Sequence, residues 1–182
     1  MDNKTKKLVE ITKNSGAFKT GSFVLSSGKK SSIYFDGRIT SLLPASLEII
    51  SEILFEEIKK HNIDVIAGPT LGADALVAGV LMVAAREKFN LKGAIVRKET
   101  KAHGTGKMVE GNYSEGDKVM IVDDTCTTGG SVLFAAQVME ESKCVVTEIR
   151  CVLDRNEGGK DLIKNKGYGF SAILQVVDGN LV

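Results

Sequence analysis

Asp123 and Asp124 close an apolar run at residues 119–122 and open onto Thr125, Cys126, Thr127, Thr128, Gly129, Gly130 and Ser131. The apolar run reads as a buried strand, whose end carries both acids to the rim of a sheet. Small hydroxyl residues and glycines follow, so backbone N–H groups can come close to an anion. A helix that starts near Ser131 adds the positive end of its dipole. Together these groups suit a phosphate, with two carboxylates beside it to grip sugar hydroxyls or a divalent cation. The chemistry indicated is that of a phosphorylated sugar.

A second group of residues is cationic. Arg97, Lys98, Lys101 and Lys107 surround His103, with Gly104 and Gly106 as hinges, in a connection that reads from residue 98 to 117. Connections of that length are uncommon unless they close over or bind something. Four cations suit a polyanion. Gly104-Thr105-Gly106-Lys107 is not a P-loop, because Lys101 and Met108 stand where glycine and a hydroxyl residue are needed. No G-x-G-x-x-G is present, so nucleoside triphosphate hydrolysis and dinucleotide binding are not expected.

Two shorter motifs complete the candidates. Gly68-Pro69-Thr70-Leu71-Gly72 follows a strand-like run and precedes a helix, a turn able to cradle pyrophosphate oxygens through its N–H groups. Asp154-Arg155-Asn156-Glu157-Gly158-Gly159 follows another strand. There Arg155 could grip a carboxylate with two parallel hydrogen bonds, or pair on the surface with Asp154 or Glu157. Of the two histidines, His103 is the candidate catalytic imidazole. His61 follows two lysines at a helix end and suits the helix dipole. Tyr34 and Phe35 suit either a hairpin core or a stacking face for a flat ring.

These residues need a scaffold that brings them to one edge. A short helix around Leu8 and Ile11 ends at Gly16. Strand-like residues 23–25 and 33–35 flank a five-residue loop at 26–30, which reads as a hairpin. Pro44 starts a helix with Leu47, Ile50, Leu54 and Ile58 on one face. Strands at 65–67, 93–97, 118–122, 145–153 and 170–177 then alternate with helices at 73–85, 131–141 and 160–166. This alternation predicts an α/β fold, a largely parallel sheet with helices on both faces. Ligands of such sheets lie beyond the carboxyl ends of the strands, where all four motifs fall. Residues 1–182 read as one domain, in which residues 1–40 contribute a helix and hairpin as a small N-terminal hood.

Composition narrows the class. The chain has 182 residues and 43% hydrophobic content, enough for one full core. Twenty-four basic and 23 acidic residues leave a net charge of +1, which speaks against bulk nucleic-acid binding. Cys126, Cys144 and Cys151 lack metal-ligand spacing and read as reduced thiols of a cytoplasmic protein. No membrane-spanning run or leader is apparent, so no membrane partner is expected.

In combination, the motifs resemble the type I phosphoribosyltransferases and, within them, the orotate phosphoribosyltransferases. The acidic-pair segment carries the broader likeness. The narrower one rests on Arg97-Lys98-x-x-Lys101-x-His103-Gly104, on Ser27-Gly28-Lys29-Lys30-Ser31 running into Tyr34-Phe35, and on Asp154-Arg155-x-Glu157-Gly158-Gly159. The resemblance implies the type I phosphoribosyltransferase fold. It implies the reaction of orotate with phosphoribosyl pyrophosphate, giving orotidine 5′-phosphate and pyrophosphate in pyrimidine (UMP) biosynthesis. It also implies Mg²⁺, held mainly by the substrate near Asp123 and Asp124, and a homodimer sharing its lid loop across the interface.

By the same resemblance, Thr125, Cys126, Thr127, Thr128, Gly129, Gly130 and Ser131 bind the 5′-phosphate, and Asp123 and Asp124 the ribose hydroxyls. Leu71, Gly72, Arg97, Lys98, Lys101 and His103 meet the rest of the sugar pyrophosphate. Thr127 and Arg155 contact orotate, with Tyr34 and Phe35 near its ring. Lys101, His103, Asp123 and Asp124 are the catalytic candidates. Some family members carry a lysine where this chain has Ser26, so a lysine contact from that position is absent. A purine-type enzyme with the same phosphate loop is disfavoured by Arg155, and a non-catalytic sensor by the retention of Lys101, His103 and both acids.

Overall fold

The computed structural model describes residues 2–24, 30–99 and 107–182. Helix α1 (Asn3–Asn14) starts at Asp2, whose carboxylate accepts the Thr5 N–H at 2.7 Å. Strands β1 (Phe18–Val24) and β2 (Lys30–Phe35) pair antiparallel as a separate two-stranded ribbon. The turn between them lies outside the described residues. Helix α2 (Gly37–Ser41) follows, then α3 (Pro44–His61), with Pro44 in its first turn and Asn62 in the left-handed conformation at its end. Both ends follow ordinary helix chemistry: proline fills a position that needs no N–H donor, and asparagine tolerates positive φ.

The rest of the chain builds the main sheet. Its elements are β3 (Val65–Pro69), α4 (Asp74–Arg86), β4 (Lys92–Val96), β5 (Val109–Gly111) and β6 (Lys118–Cys126). Then come α5 (Gly130–Glu141), β7 (Val145–Asp154), α6 (Gly159–Asn165), β8 (Gly169–Val177) and β9 (Asn180–Leu181). The strand order is β5-β4-β3-β6-β7-β8-β9, parallel from β4 to β8 and antiparallel at both edges. From β3 the chain winds to β4 on one side, and from β6 to β7 and β8 on the other. The order therefore reverses between β3 and β6, and a crevice opens beyond their carboxyl ends.

Strand β6 shows how alternation builds two cores. Val119 and Ile121 pack with Val132, Ala135 and Met139 of α5, while Met120 and Val122 pack with Leu54 of α3 and with Leu76 and Val80 of α4. All four β6 residues are fully buried. Leu8 of α1, Phe18 of β1 and Ile33 of β2 join the core on the α3–α4 face. The N-terminal helix and ribbon thus have no separate core and sit on the main body as a hood.

The structure extends the expected elements in several places. β6 does not stop at Val122 but continues through Asp123, Asp124 and Thr125 to Cys126. The acidic pair therefore belongs to the strand. β7 and β8 hold the same register beyond it, with Thr125 paired to Leu153 and Leu153 to Leu174. The connection after Lys98 contains β5, and α2 fills the stretch between hairpin and Pro44. Among the described residues no helix is long and apolar enough to cross a membrane.

Candidate active site

The two acids lie in the crevice between β3 and β6 and are largely out of water. Asp123 is 6% exposed. Its Oδ2 accepts the Ser131 hydroxyl at 2.8 Å, and its Oδ1 accepts the Asp124 N–H at 2.9 Å. Burial, followed by the neighbouring Asp124 charge, pushes the Asp123 carboxyl up to about 7, against the pull of the Ser131 hydrogen bond and the Lys98 charge. Burial also raises Asp124, opposed by a hydrogen bond from Thr125 and by the charge of Arg38. Two carboxylates side by side in a poorly hydrated crevice resist ionising together.

Glycines let the surrounding backbone close on this pair. A Cβ on Gly72 would collide with Asp123 Oδ1 and lie 3.1 Å from Asp124 Oδ1. A Cβ on Gly37, at the start of α2, would lie 2.6 Å from the Asp124 carboxyl carbon. One on Gly68 would strike the Val122 carbonyl oxygen. Gly72 belongs to the turn singled out by sequence, whereas Gly37 and Arg38 were missed. Their only local signal was the helix cap at Asp36, whose Oδ1 accepts the Arg38 N–H at 3.1 Å. The approach to Asp124 spans much of the chain and leaves no trace in spacing.

The hydroxyl and glycine segment turns from β6 into α5. Gly129 stands at the helix start with φ +83°, a conformation glycine adopts without penalty. The first-turn N–H groups of α5, like those of any helix, have no intrahelical partner, and no side chain caps them, so they stand available at the turn that precedes it. Thr128, Gly130 and Ser131 are exposed there, and Thr125 and Thr127 half-buried. Cys126 is 1% exposed and packs in the core under α5, so it can offer a ligand only its backbone. The Ser131 hydroxyl is engaged with Asp123 rather than free.

The cationic segment is described only at its ends. Arg97 follows β4; its N–H donates to the Met108 carbonyl at 2.8 Å and its Nη1 lies 3.6 Å from Glu110 Oε1. With Lys98, Glu99, Glu110, Ile95 and Thr70 it lines a cleft of about 420 Å³. Leu71 is exposed at the adjoining turn. Lys101 and His103 lie outside the described residues.

Arg155 stands just past β7, its N–H donating to the Cys126 carbonyl at 3.0 Å. This bond ties it to the end of the acid-bearing strand. Of the two partners considered from sequence, Glu157 is the one it meets, with Oε1 3.0 Å from Nε. Asp154 instead accepts the Asn156 N–H at 2.8 Å. The hood reaches Arg155 through Ser31, whose Oγ accepts from Nη2 at 3.4 Å. Ser31 ends the Ser27–Ser31 motif, where the sequence by itself points to no role for it. Phe35 packs partly into the α3–α4 core, and Tyr34 leans on Phe23 with ring centroids 5.7 Å apart. His61 is part of an ion cluster as well as a helix end: its Nδ1 lies 2.9 Å from Glu148 Oε1, beside Arg150 and Glu57.

Residues 39–179 match the family model described as "Phosphoribosyl transferase domain". The chain is 40% identical to the orotate phosphoribosyltransferase of Pyrococcus horikoshii, over 93% of this chain and 89% of that protein. It is 39% identical to the orotate phosphoribosyltransferase of Methanocaldococcus jannaschii, over 97% and 96%. Among solved structures, the Mycobacterium tuberculosis orotate phosphoribosyltransferase in complex with Fe(III) dicitrate is similar, with TM-score 0.84 and 28% identity. That match covers 97% of this chain and 99% of that one. A complex of the M. tuberculosis protein with 5-phospho-α-D-ribosyl 1-diphosphate matches with TM-score 0.80 and 26% identity, over 97% and 98%.

Proposed function

We propose that this chain, which belongs to the orotate phosphoribosyltransferase family, transfers ribose 5-phosphate from phosphoribosyl pyrophosphate to orotate, releasing pyrophosphate and giving orotidine 5′-phosphate. One observation carries this reading beyond family membership. A buried acidic pair and an uncapped helix start stand at the end of β6, and an arginine fork stands at the end of β7, joined to β6 by the Arg155–Cys126 hydrogen bond. A phosphorylated sugar and an acidic base need that adjacency.

In this mechanism Asp123 and Asp124 accept hydrogen bonds from the ribose hydroxyls, and the N–H groups of residues 128–131 hold the 5′-phosphate. The turn at Leu71 and Gly72, with Arg97 and Lys98, faces the pyrophosphate. Breaking the bond at C1′ leaves positive charge on the ribose ring and negative charge on the departing pyrophosphate. Fixed cations stabilise the second of these, and exclusion of water protects the first from hydrolysis. Lys101 and His103 are assigned to the leaving group by the family resemblance alone, and either could give it a proton. Arg155 and Thr127 orient orotate so that its ring nitrogen faces C1′.

The donor set fits a magnesium ion shared with substrate. Among the described residues no three His, Cys, Asp or Glu side chains gather as a cage. Asp123 and Asp124 offer the one or two carboxylates that Mg²⁺ takes alongside phosphate oxygens and water. Bound there, Mg²⁺ would neutralise charge on the pyrophosphate. The family reading also assigns a homodimer in which the cationic segment of one subunit serves the other. It further assigns one domain with residues 1–40 as hood, and a cytoplasmic setting in which the three free cysteines stay reduced.

The test offers the purified protein phosphoribosyl pyrophosphate with orotate, uracil, adenine or hypoxanthine, with and without Mg²⁺. Consumption of orotate alone, dependent on Mg²⁺, is expected; turnover of a purine instead would refute the assignment. Lys101→Ala should lose about 1.5–3 kcal/mol of transition-state stabilisation, the range for a hydrogen bond to a charged group. An unchanged kcat/KM would remove Lys101 from the mechanism.

A further inference from the structure

The guanidinium of Arg155 is buried, with 10% of its side chain exposed, yet it is incompletely satisfied. Nη2 has the Ser31 hydroxyl at 3.4 Å. Nε has Glu157 Oε1 at 3.0 Å, close enough for an ion pair, but its buried N–H makes no hydrogen bond among the described residues. The carboxylate supplies charge without alignment. A buried donor left in this way is costly and is uncommon in folded proteins.

The turn that carries the pair is firmly held. Asn156, between the two residues, has φ +55°, and its amide donates to the Val176 carbonyl at 2.6 Å. Its N–H is held by Asp154. Gly158 follows with φ +93°. The turn therefore fixes where Glu157 starts, while its side chain, 36% exposed, has water to move into. Arg155 has no comparable freedom.

We propose that Glu157 is a stand-in for the substrate carboxylate. It balances the charge of Arg155 when no base is bound, and orotate displaces it by offering a carboxylate aligned with the fork. The inference rests on the reading of Arg155 as the orotate contact, and it adds a specificity-determining residue. Affinity for orotate then reflects the difference between two carboxylates on one arginine. An uncharged pyrimidine such as uracil leaves the internal pair in place and gains nothing from Arg155. Orotidine 5′-phosphate, which keeps the carboxylate, meets the same competitor on its way out.

The test is a double-mutant cycle on the full-length protein, with KM measured for both substrates and orotate binding followed by calorimetry where turnover is too slow. Glu157→Gln should lower the orotate KM about two- to fivefold, the worth of a part-exposed ion pair, and leave the phosphoribosyl pyrophosphate KM unmoved. In an Arg155→Ala background the same change should have no effect. A raised orotate KM in Glu157→Gln would make Glu157 a brace for Arg155, and an unchanged one a bystander; either overturns the proposal. An equal drop in the Arg155→Ala background would reveal only general repulsion of an anion, and also overturns it. If Arg155→Ala alone leaves the orotate KM unchanged, the underlying reading of Arg155 fails, separately from that of Glu157.

Discussion

The acidic pair and Arg155 stand at the ends of neighbouring strands, yet the molecule holds them by different means. Asp123 and Asp124 lie within β6, in register with β7 and pressed by the backbone at Gly37 and Gly72, with Gly68 against the Val122 carbonyl just before them. Arg155 lies past the end of β7 and is oriented by side chains, Ser31 from the hood and Glu157 from its own turn. The ribose-phosphate half is thus set by backbone packing, and the base half by adjustable polar contacts. The half that is shared by any phosphoribosyl transfer is rigid. The half that selects the base is where small side-chain changes can act.

The largest expected effect tests the rigid half. In Gly72→Ala the new methyl meets carboxylate oxygens rather than backbone, so the chain can fold while the acids give way. Displacing both removes two hydrogen bonds from charged groups, each worth about 1.5–3 kcal/mol. The kcat/KM for phosphoribosyl pyrophosphate should fall by at least about 3 kcal/mol, over roughly a hundredfold. The melting temperature should change little, and the orotate KM less than that of the sugar pyrophosphate. A variant within tenfold of the parent would mean that the placement of these acids is not critical.

The same contrast decides what could be read from the chain. The five parallel strands, α3 and α5 were readable because apolar periodicity is a local signal. The acidic pair was also readable, because two carboxylates after an apolar run and before Thr-Thr-Gly-Gly are local as well. The continuation of β6 through Asp123 to Cys126 was not, since Asp suits strands poorly and only the register with β7 carries it. β5 and β9, of 3 and 2 residues, are too short to show a period. α2 has five residues, begins with glycine and holds a β-branched pair, Ile39 and Thr40, so propensity argued against it. What escaped entirely was contact between segments far apart in the sequence: Gly37 on Asp124, and Ser31 on Arg155. The buried face of Cys126 was hidden by the polar residues around it.

A pH titration sharpens the rigid half further. The Asp123 carboxyl is raised from 3.8 to about 7 by burial and then by Asp124, so its charged form is disfavoured in the folded state. Its contribution to stability is complete below the ordinary carboxylate range and is lost as pH rises from about 4 through about 7. Ribose hydroxyls, by contrast, need the ionised acid as acceptor. The kcat/KM for phosphoribosyl pyrophosphate should therefore climb with pH up to about 7 while the ligand-free melting temperature falls. Asp123→Asn should flatten both curves, raise the melting temperature at pH 8 relative to the parent, and cost about 1.5–3 kcal/mol in kcat/KM. Parallel rather than opposed trends in the parent would separate Asp123 from sugar binding.

The smallest effect belongs to the adjustable half. Ser31 Oγ lies 3.4 Å from Arg155 Nη2, a long hydrogen bond from a buried guanidinium to a neutral group. The same hydroxyl donates to the Ile33 carbonyl at 2.8 Å, so it is tied to the ribbon whether or not Arg155 is present. Ser31→Ala removes the acceptor of a charged donor, but at 3.4 Å the bond is long and falls below the roughly 1.5–3 kcal/mol usual for charged groups, at about 0.5–1.5 kcal/mol. Because the bond orients rather than charges the fork, the loss should appear as a rise of about two- to tenfold in the orotate KM. The sugar pyrophosphate KM has no reason to move, since no part of its site leans on the ribbon at that point. Equal rises in both constants would mean that Ser31 positions the hood as a whole, and the boundary between the two halves would then run through the hood rather than between β6 and β7.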